Sequence, residues 1–104
     1  MHKSDAEYTV LKIIENNANL TQRQIAKKLG LSLGKTNYVI RALSDKGWVK
    51  LSNFQRSDHK LGYLYLITPE GIINKSKLTQ SFLRRKVKEY NRLKEEIAQL
   101  NNEL

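Results

Sequence analysis

The sequence predicts a mainly helical α+β fold, with three short helices, a small β-hairpin and one long C-terminal helix. Three observations predict it. A Gly-marked turn, Leu29-Gly30-Leu31-Ser32, separates two segments with helical hydrophobic spacing. Two strand-favouring runs, Trp48 to Phe54 and Leu61 to Ile67, flank a polar basic loop from Gln55 to Lys60. From Pro69 to Leu104 no further proline interrupts a helical pattern.

Each element has its own local cause. Ser4-Asp5-Ala6-Glu7 has the S-x-x-E form of a capping box, which places the start of a first helix there. Tyr8, Leu11 and Ile14 recur at three-residue spacing, with Val10 and Ile13 widening the stripe. Asn16-Asn17-Ala18-Asn19 ends it, because Asn favours turns over helix interiors. Thr21-Gln22-Arg23-Gln24 is a second capping box, opening a helix that turns Ile25, Ala26 and Leu29 inward. Gly30 supplies the left-handed residue that closes this helix.

Ser32 caps a third helix over 32–46, and Gly47 stops it. Its inward face is Thr36, Val39, Ile40 and Leu43. Leu33, Gly34, Lys35, Asn37, Tyr38 and Arg41 are left facing outward. Trp48, among apolar neighbours, belongs to the core rather than to a stacking site. Tyr63 and Tyr65 alternate with Leu64 and Leu66, so one pair faces inward and the other is partly exposed. Thr68-Pro69-Glu70-Gly71 restarts helix, with an N-cap, a proline at the first position and an acidic first turn. Unbroken to Leu104, that helix would span roughly 50 Å at its ordinary rise. Any break falls at Lys77 to Gln80.

A helix-turn-helix followed at once by such a hairpin is a winged helix, a common way to place a helix in the DNA major groove. Charge supports the same class. The chain has 104 residues and a formal charge of +9. Between Thr21 and Lys60 stand nine basic residues: Arg23, Lys27, Lys28, Lys35, Arg41, Lys46, Lys50, Arg56 and Lys60. Only Asp45 and Asp58 oppose them. Basic residues that merely keep a protein soluble would be spread evenly; this clustering fits a polyanion partner.

Other classes find less support. The chain has no Cys, which removes a disulfide frame and a thiolate zinc site and fits a reducing cytoplasm. Met1-His2-Lys3-Ser4-Asp5 lacks the apolar run of a signal peptide, and no apolar stretch is long enough for a bilayer. A soluble, cytoplasmic protein without membrane partners is expected. His2 and His59 are the only histidines, and neither sits in metal-ligand or Ser-His-Asp spacing. No Gly-rich phosphate loop occurs, and the paired carboxylates Glu95-Glu96 lie on a solvated helix. The expectation is a protein without catalysis, metal or cofactor.

Read as a double-stranded-DNA binder, each outward group acquires a role. Lys35 would donate to guanine, Asn37 would pair with adenine, and Arg41 would reach a guanine or a phosphate. Tyr38 would meet a thymine methyl or a phosphate. Thr21, Gln22 and Arg23 at one helix start, with Ser32 and Gly34 at the next, would lie against phosphates. The wing, 54–61, would bring Arg56 and Lys60 to the minor groove or its phosphates, with His59 a phosphate contact or a bystander. Arg84-Arg85-Lys86-Val87-Lys88 is either a solvated face or a further phosphate contact. Two other classes stay open: a protein-interaction module using the outward face of helix three, and an RNA binder stacking bases on exposed strand tyrosines.

The tail has its own apolar positions: Leu83, Val87, Tyr90, Leu93, Ile97, Leu100 and Leu104. From Tyr90 the spacing is three, four, three, four, an a/d seam of a coiled coil. It either packs back on its own domain or pairs two copies; pairing is favoured because the rest already has three helices and a hairpin. The chain then divides into a DNA-binding domain, 1–68, and a dimerisation helix, 69–104.

Several runs are also familiar. Leu20 to Ser32 (LTQRQIAKKLGLS), Ala42 to Val49 (ALSDKGWV) and Leu66 to Gly71 (LITPEG) resemble MarR-type winged-helix regulators. Ser32 to Tyr38 (SLGKTNY) and Arg56 to Tyr65 (RSDHKLGYLY) resemble a short MarR subgroup of exopolysaccharide-associated bacterial transcriptional regulators. The resemblance covers nearly the whole chain. It implies a homodimeric regulator that controls exopolysaccharide-related genes. Larger MarR proteins carry longer flanking helices that build the dimer and often a ligand crevice. Here one short helix precedes Thr21, so dimerisation would fall mainly to the tail, and a small-molecule effector is left open. Where the family wing has an Asp-x-Arg pattern this chain has Asp58-His59-Lys60, which leaves Arg56 as the minor-groove arginine.

Overall fold

A computed structural model describes residues 3–17, 20–51 and 65–104. In chain order these form α1 (Lys3–Asn16), α2 (Gln22–Leu29), α3 (Leu33–Asp45), β1 (Val49–Leu51), β2 (Tyr65–Ile67) and α4 (Pro69–Asn102). The two strands pair antiparallel, with Val49 opposite Ile67, Lys50 opposite Leu66 and Leu51 opposite Tyr65. The tip of the hairpin, 52–64, lies outside the described residues, and with it the expected outer parts of both strands.

The expected chemistry closes most helix ends. Thr21 accepts a hydrogen bond from the Gln24 amide while the Gln24 side chain accepts from the Thr21 amide, a complete capping box. Gly30 follows at φ +68 and Gly47 at φ +80, both left-handed conformations that a side chain would strain. Ser32 accepts from the Lys35 amide at 3.0 Å. One cap differs from expectation. Helix α1 begins at Lys3, so Ser4-Asp5-Ala6-Glu7 lies within it and does not form its cap. Glu7 faces inward instead and accepts a 2.6 Å bond from the Lys46 ammonium at the end of α3.

The core collects Ala6, Val10, Leu11 and Ile14 of α1, Ile25 of α2, Val39, Ile40 and Leu43 of α3, Val49 and Tyr65. Thr36 completes the buried face of α3, its hydroxyl donating to the Ser32 carbonyl at 2.9 Å. Trp48 is half-buried against this core, and the Lys46 ammonium lies 4.5 Å from its ring centroid. Tyr65 points inward and Leu66 outward, which takes Tyr65 away from any RNA-stacking surface.

Helix α4 runs unbroken for 34 residues; no break occurs at Lys77 to Gln80. Its first half packs on α1. Leu78 joins the core, Phe82 stacks on Tyr8 at 4.9 Å between centroids, and Lys75 pairs with Glu15 at 2.7 Å. Arg85 pairs with Asp5 where the contact ends. Beyond it the seam residues Val87, Tyr90, Leu93, Ile97 and Leu100 are exposed, so they do not fold back on their own chain.

A corner joins α3, the hairpin and α4. Thr68 caps α4 by accepting from the Gly71 amide at 3.0 Å, and its hydroxyl donates to the Gly47 carbonyl at 2.6 Å. The Thr68 amide donates to the Trp48 carbonyl at 2.9 Å. Gly71 is buried against that carbonyl: a Cβ there would overlap the Trp48 oxygen and meet Ile67 Cγ1 at 2.8 Å. The atoms it would strike are mainly backbone, so they cannot rotate aside. Gly71→Ala should therefore lower stability by about 1–3 kcal/mol or more, read as a reduced midpoint in urea denaturation.

Candidate nucleic-acid interface

Helix α3 is divided lengthwise. Burying Thr36, Val39, Ile40 and Leu43 turns the opposite side to solvent, where Lys35, Tyr38 and Arg41 follow at three-residue spacing. All three are exposed, and the Lys35 ammonium lies 5.8 Å from the Tyr38 ring centroid. Asn37, Tyr38, Arg41, Ala42 and Asp45 line a shallow cleft along this side. Asn37 is half-buried, and its amide donates to Gln22 Oε1 at 3.0 Å. The fold thus brings together two residues, Gln22 and Asn37, that were expected to act separately. Asn37 would have to share or exchange that bond to reach a base.

At the start of α2 the capping box occupies the Thr21 hydroxyl and the Gln24 side chain. The Gln22 and Arg23 amides belong to the first turn, where N–H groups have no intrahelical acceptor. Arg23 is exposed beside them. Ser32 likewise caps α3, which puts its role inside the fold first.

Gly34 has no internal reason to be glycine. It sits in the first turn of α3 without a positive φ, and a Cβ there would meet nothing within 4 Å among the described residues. Glycine within a helix costs about 0.8–1.0 kcal/mol relative to alanine. Its open position is the place on α3 where an outside body can approach the backbone most closely.

The basic charge is distributed unequally. Lys46 is held by Glu7 and lies over Trp48, so its charge is locally answered. Arg23, Lys27, Lys28, Lys35, Arg41 and Lys50 are exposed. Arg56, His59 and Lys60, expected at the wing, lie outside the described residues. On α4, Arg85 is engaged with Asp5 while Arg84 and Lys88 are exposed.

Comparison with known proteins agrees with this geometry. A family described as winged helix-turn-helix DNA-binding matches residues 4–50. Apo wild-type MarR from E. coli superposes with a TM-score of 0.62 at 28% identity, over 72% of this chain and 54% of that one. The chain has the winged helix-turn-helix fold that these proteins share. A mutant of the E. coli protein in complex with operator DNA matches equally, at 28% identity and TM-score 0.62 over 72% of this chain and 52% of that one. A PadR-like transcriptional regulator from Bacillus cereus, at 18% identity, shares the fold with a TM-score of 0.73, over 84% of this chain and 89% of that one. The chain spans about half the length of the MarR structures it matches. No curated protein matches it. Among the described residues no helix is long and apolar enough to cross a membrane.

The sequence did not foretell the ties that set this winged-helix head in place. The pairs Gln22–Asn37, Glu7–Lys46 and Asp5–Arg85 join residues far apart in the chain, and no local pattern marks them. The vacancy at Gly34 is likewise visible only once its surroundings are known. With no clash to oppose it, Gly34→Ala should raise stability by up to about 1 kcal/mol, seen as a higher urea midpoint.

Proposed function

We propose that this chain is a sequence-specific, double-stranded-DNA-binding transcriptional regulator that acts as a homodimer. Helix 32–46 enters the major groove, and wing 54–61 meets the minor groove or its phosphates. Residues 1–68 form the reading head and 69–104 the dimerisation helix. Exopolysaccharide-related genes are the proposed targets, a choice supported by the resemblance of the SLGKTNY and RSDHKLGYLY runs. The regulator works without catalysis, from the cytoplasm.

The observation that carries this reading is the outward face of α3. A cation, an amide, a phenol and a guanidinium share it, beside a glycine that the fold itself does not require. Base edges in the major groove present the donors and acceptors such a set can pair with. Exposed Arg23, Lys27 and Lys28 on α2 supply the cations for adjacent phosphates. Two copies then read two half-sites, about one helical turn or a multiple apart. A mutant E. coli MarR that shares this fold has been solved in complex with operator DNA, which supports duplex DNA as the ligand.

Binding assays on duplexes test each role separately. Footprinting across the genome supplies the operator; equal affinity of the native chain for operator and scrambled duplex would refute sequence reading. Lys35→Ala and Arg41→Ala should reduce discrimination between the two duplexes, by about 1–3 kcal/mol for a bidentate base contact. Gly34→Ala should weaken duplex binding although it stabilises the fold, a split that a purely structural role would not give. Arg56→Ala and Lys60→Ala should weaken binding to all duplexes and lower the slope of log K against log salt by about one unit per lost phosphate contact. Uniformly weak duplex binding, with tight binding to a protein partner or to RNA, would move the outward face to one of those other roles.

A further inference from the structure

We infer that the C-terminal helices of two copies pair as a parallel, in-register coiled coil; this rests on the homodimer reading and adds its geometry. The seam that would be covered is exposed along its length: Tyr90, Leu93, Ile97 and Leu100 are 62, 49, 57 and 60% accessible. With Tyr90 and Ile97 at a and Leu93 and Leu100 at d, the flanking g positions are Glu89, Glu96 and Glu103. The matching e positions are Val87, Lys94 and Asn101.

That distribution selects an orientation. In a parallel pair each g residue faces the e residue five positions later on the other helix. Glu89 of one copy then faces Lys94 of the other, twice by symmetry, and Glu96 faces the neutral Asn101. In an antiparallel pair g faces g and e faces e. A column of three glutamates would then oppose its own copy, and Lys94 would face the other copy's e column of Val87, Lys94 and Asn101, which holds no carboxylate. Within a parallel arrangement, Ile97 at a with Leu93 and Leu100 at d favours two strands over three or four. In the single chain Glu89 lies 3.4 Å from Lys86, and Lys94 lies 5.9 Å from the Tyr90 centroid. Both contacts are at the surface and cost little to exchange.

The partner helix also has room. Leu78, Phe82 and Arg85 face α1, whereas Leu83, Val87 and Tyr90 lie roughly 140° round the helix from them at 3.6 residues per turn. Two heptads are fewer than a self-sufficient coiled coil uses, so the pair should dissociate on dilution.

The absence of cysteine from the chain makes the orientation directly readable. Tyr90→Cys and Leu100→Cys each place one thiol on the exposed seam. In a glutathione redox buffer each variant should crosslink to its own copy, and a mixture should give few 90-to-100 links. Parallel pairing holds residues 90 and 100 of opposite copies roughly 15 Å apart along the axis, beyond disulfide reach. An antiparallel pair packs a against d, so predominant 90-to-100 links, with neither variant linking to itself, would establish that arrangement and overturn the proposal. Sedimentation of the native chain separates the remaining outcomes. A dimer without links at either position would place the interface elsewhere, overturning the coiled coil but not the homodimer. A monomer at every concentration would overturn both. Glu89→Lys should weaken the dimer roughly fivefold, by turning two attractions into repulsions, and adding Lys94→Glu should restore it. An antiparallel pair would instead be strengthened by Glu89→Lys.

Discussion

The Trp48 carbonyl is the point on which the molecule turns. It accepts the Thr68 amide, and it lies so close to the Gly71 Cα that no side chain fits between them. A buried carbonyl without a partner would cost as much as a lost hydrogen bond, so Thr68 must stay within reach. Thr68 in turn holds the Gly47 carbonyl and caps α4. The end of α3, the root of the hairpin and the start of α4 are therefore one joint. The strand register, Val49 opposite Ile67, follows from the same pair of backbone contacts. A larger residue at position 71 would push apart three elements rather than one.

Against that fixed joint, α3 divides its labour by face. Its buried side satisfies the one polar side chain it encloses among the described residues, because the Thr36 hydroxyl donates to the carbonyl of the N-cap Ser32. Nothing on the outward side is needed to hold the core, so Lys35, Tyr38 and Arg41 are available to a partner. Asn37 is the intermediate case: its bond to Gln22 ties α2 to α3 and keeps the amide oriented. Such a bond costs only about 0.5–1.5 kcal/mol to give up, less than a good bidentate base contact supplies. The groups proposed to read DNA are thus held in place by a head that does not depend on them for folding.

Much of this was legible because the causes are local. Thr21 and Gln24, Ser32, Gly30, Gly47, and Thr68 with Pro69 announce helix ends within four residues of chain, and the described structure uses them as expected. The inward face of α3 could be read from spacing alone. The start of α1 could not, because Ser4 to Glu7 has the form of a cap while Glu7 is drawn into the core by Lys46, far along the chain. Tertiary charge pairing overrode a local signal there. Gln22–Asn37 was hidden for the same reason: each residue suited a phosphate or base contact by itself, and only the turn between α2 and α3 sets them side by side. The role of Gly71 was also invisible, since a glycine in a first helical turn looks neutral until the carbonyl behind it is known.

The continuity of α4 has a mechanical consequence. An unbroken helix of 34 residues reaches about 50 Å from a joint that is only a few atoms wide. It behaves as a lever: a tilt of five degrees at Gly71 would carry the far end about 4 Å sideways. Packing of Leu78, Phe82 and Arg85 on α1 braces the first half, which shortens the free arm and stiffens it. The spacing between two heads joined at their tails would then be governed less by the tails than by how tightly Phe82 grips Tyr8.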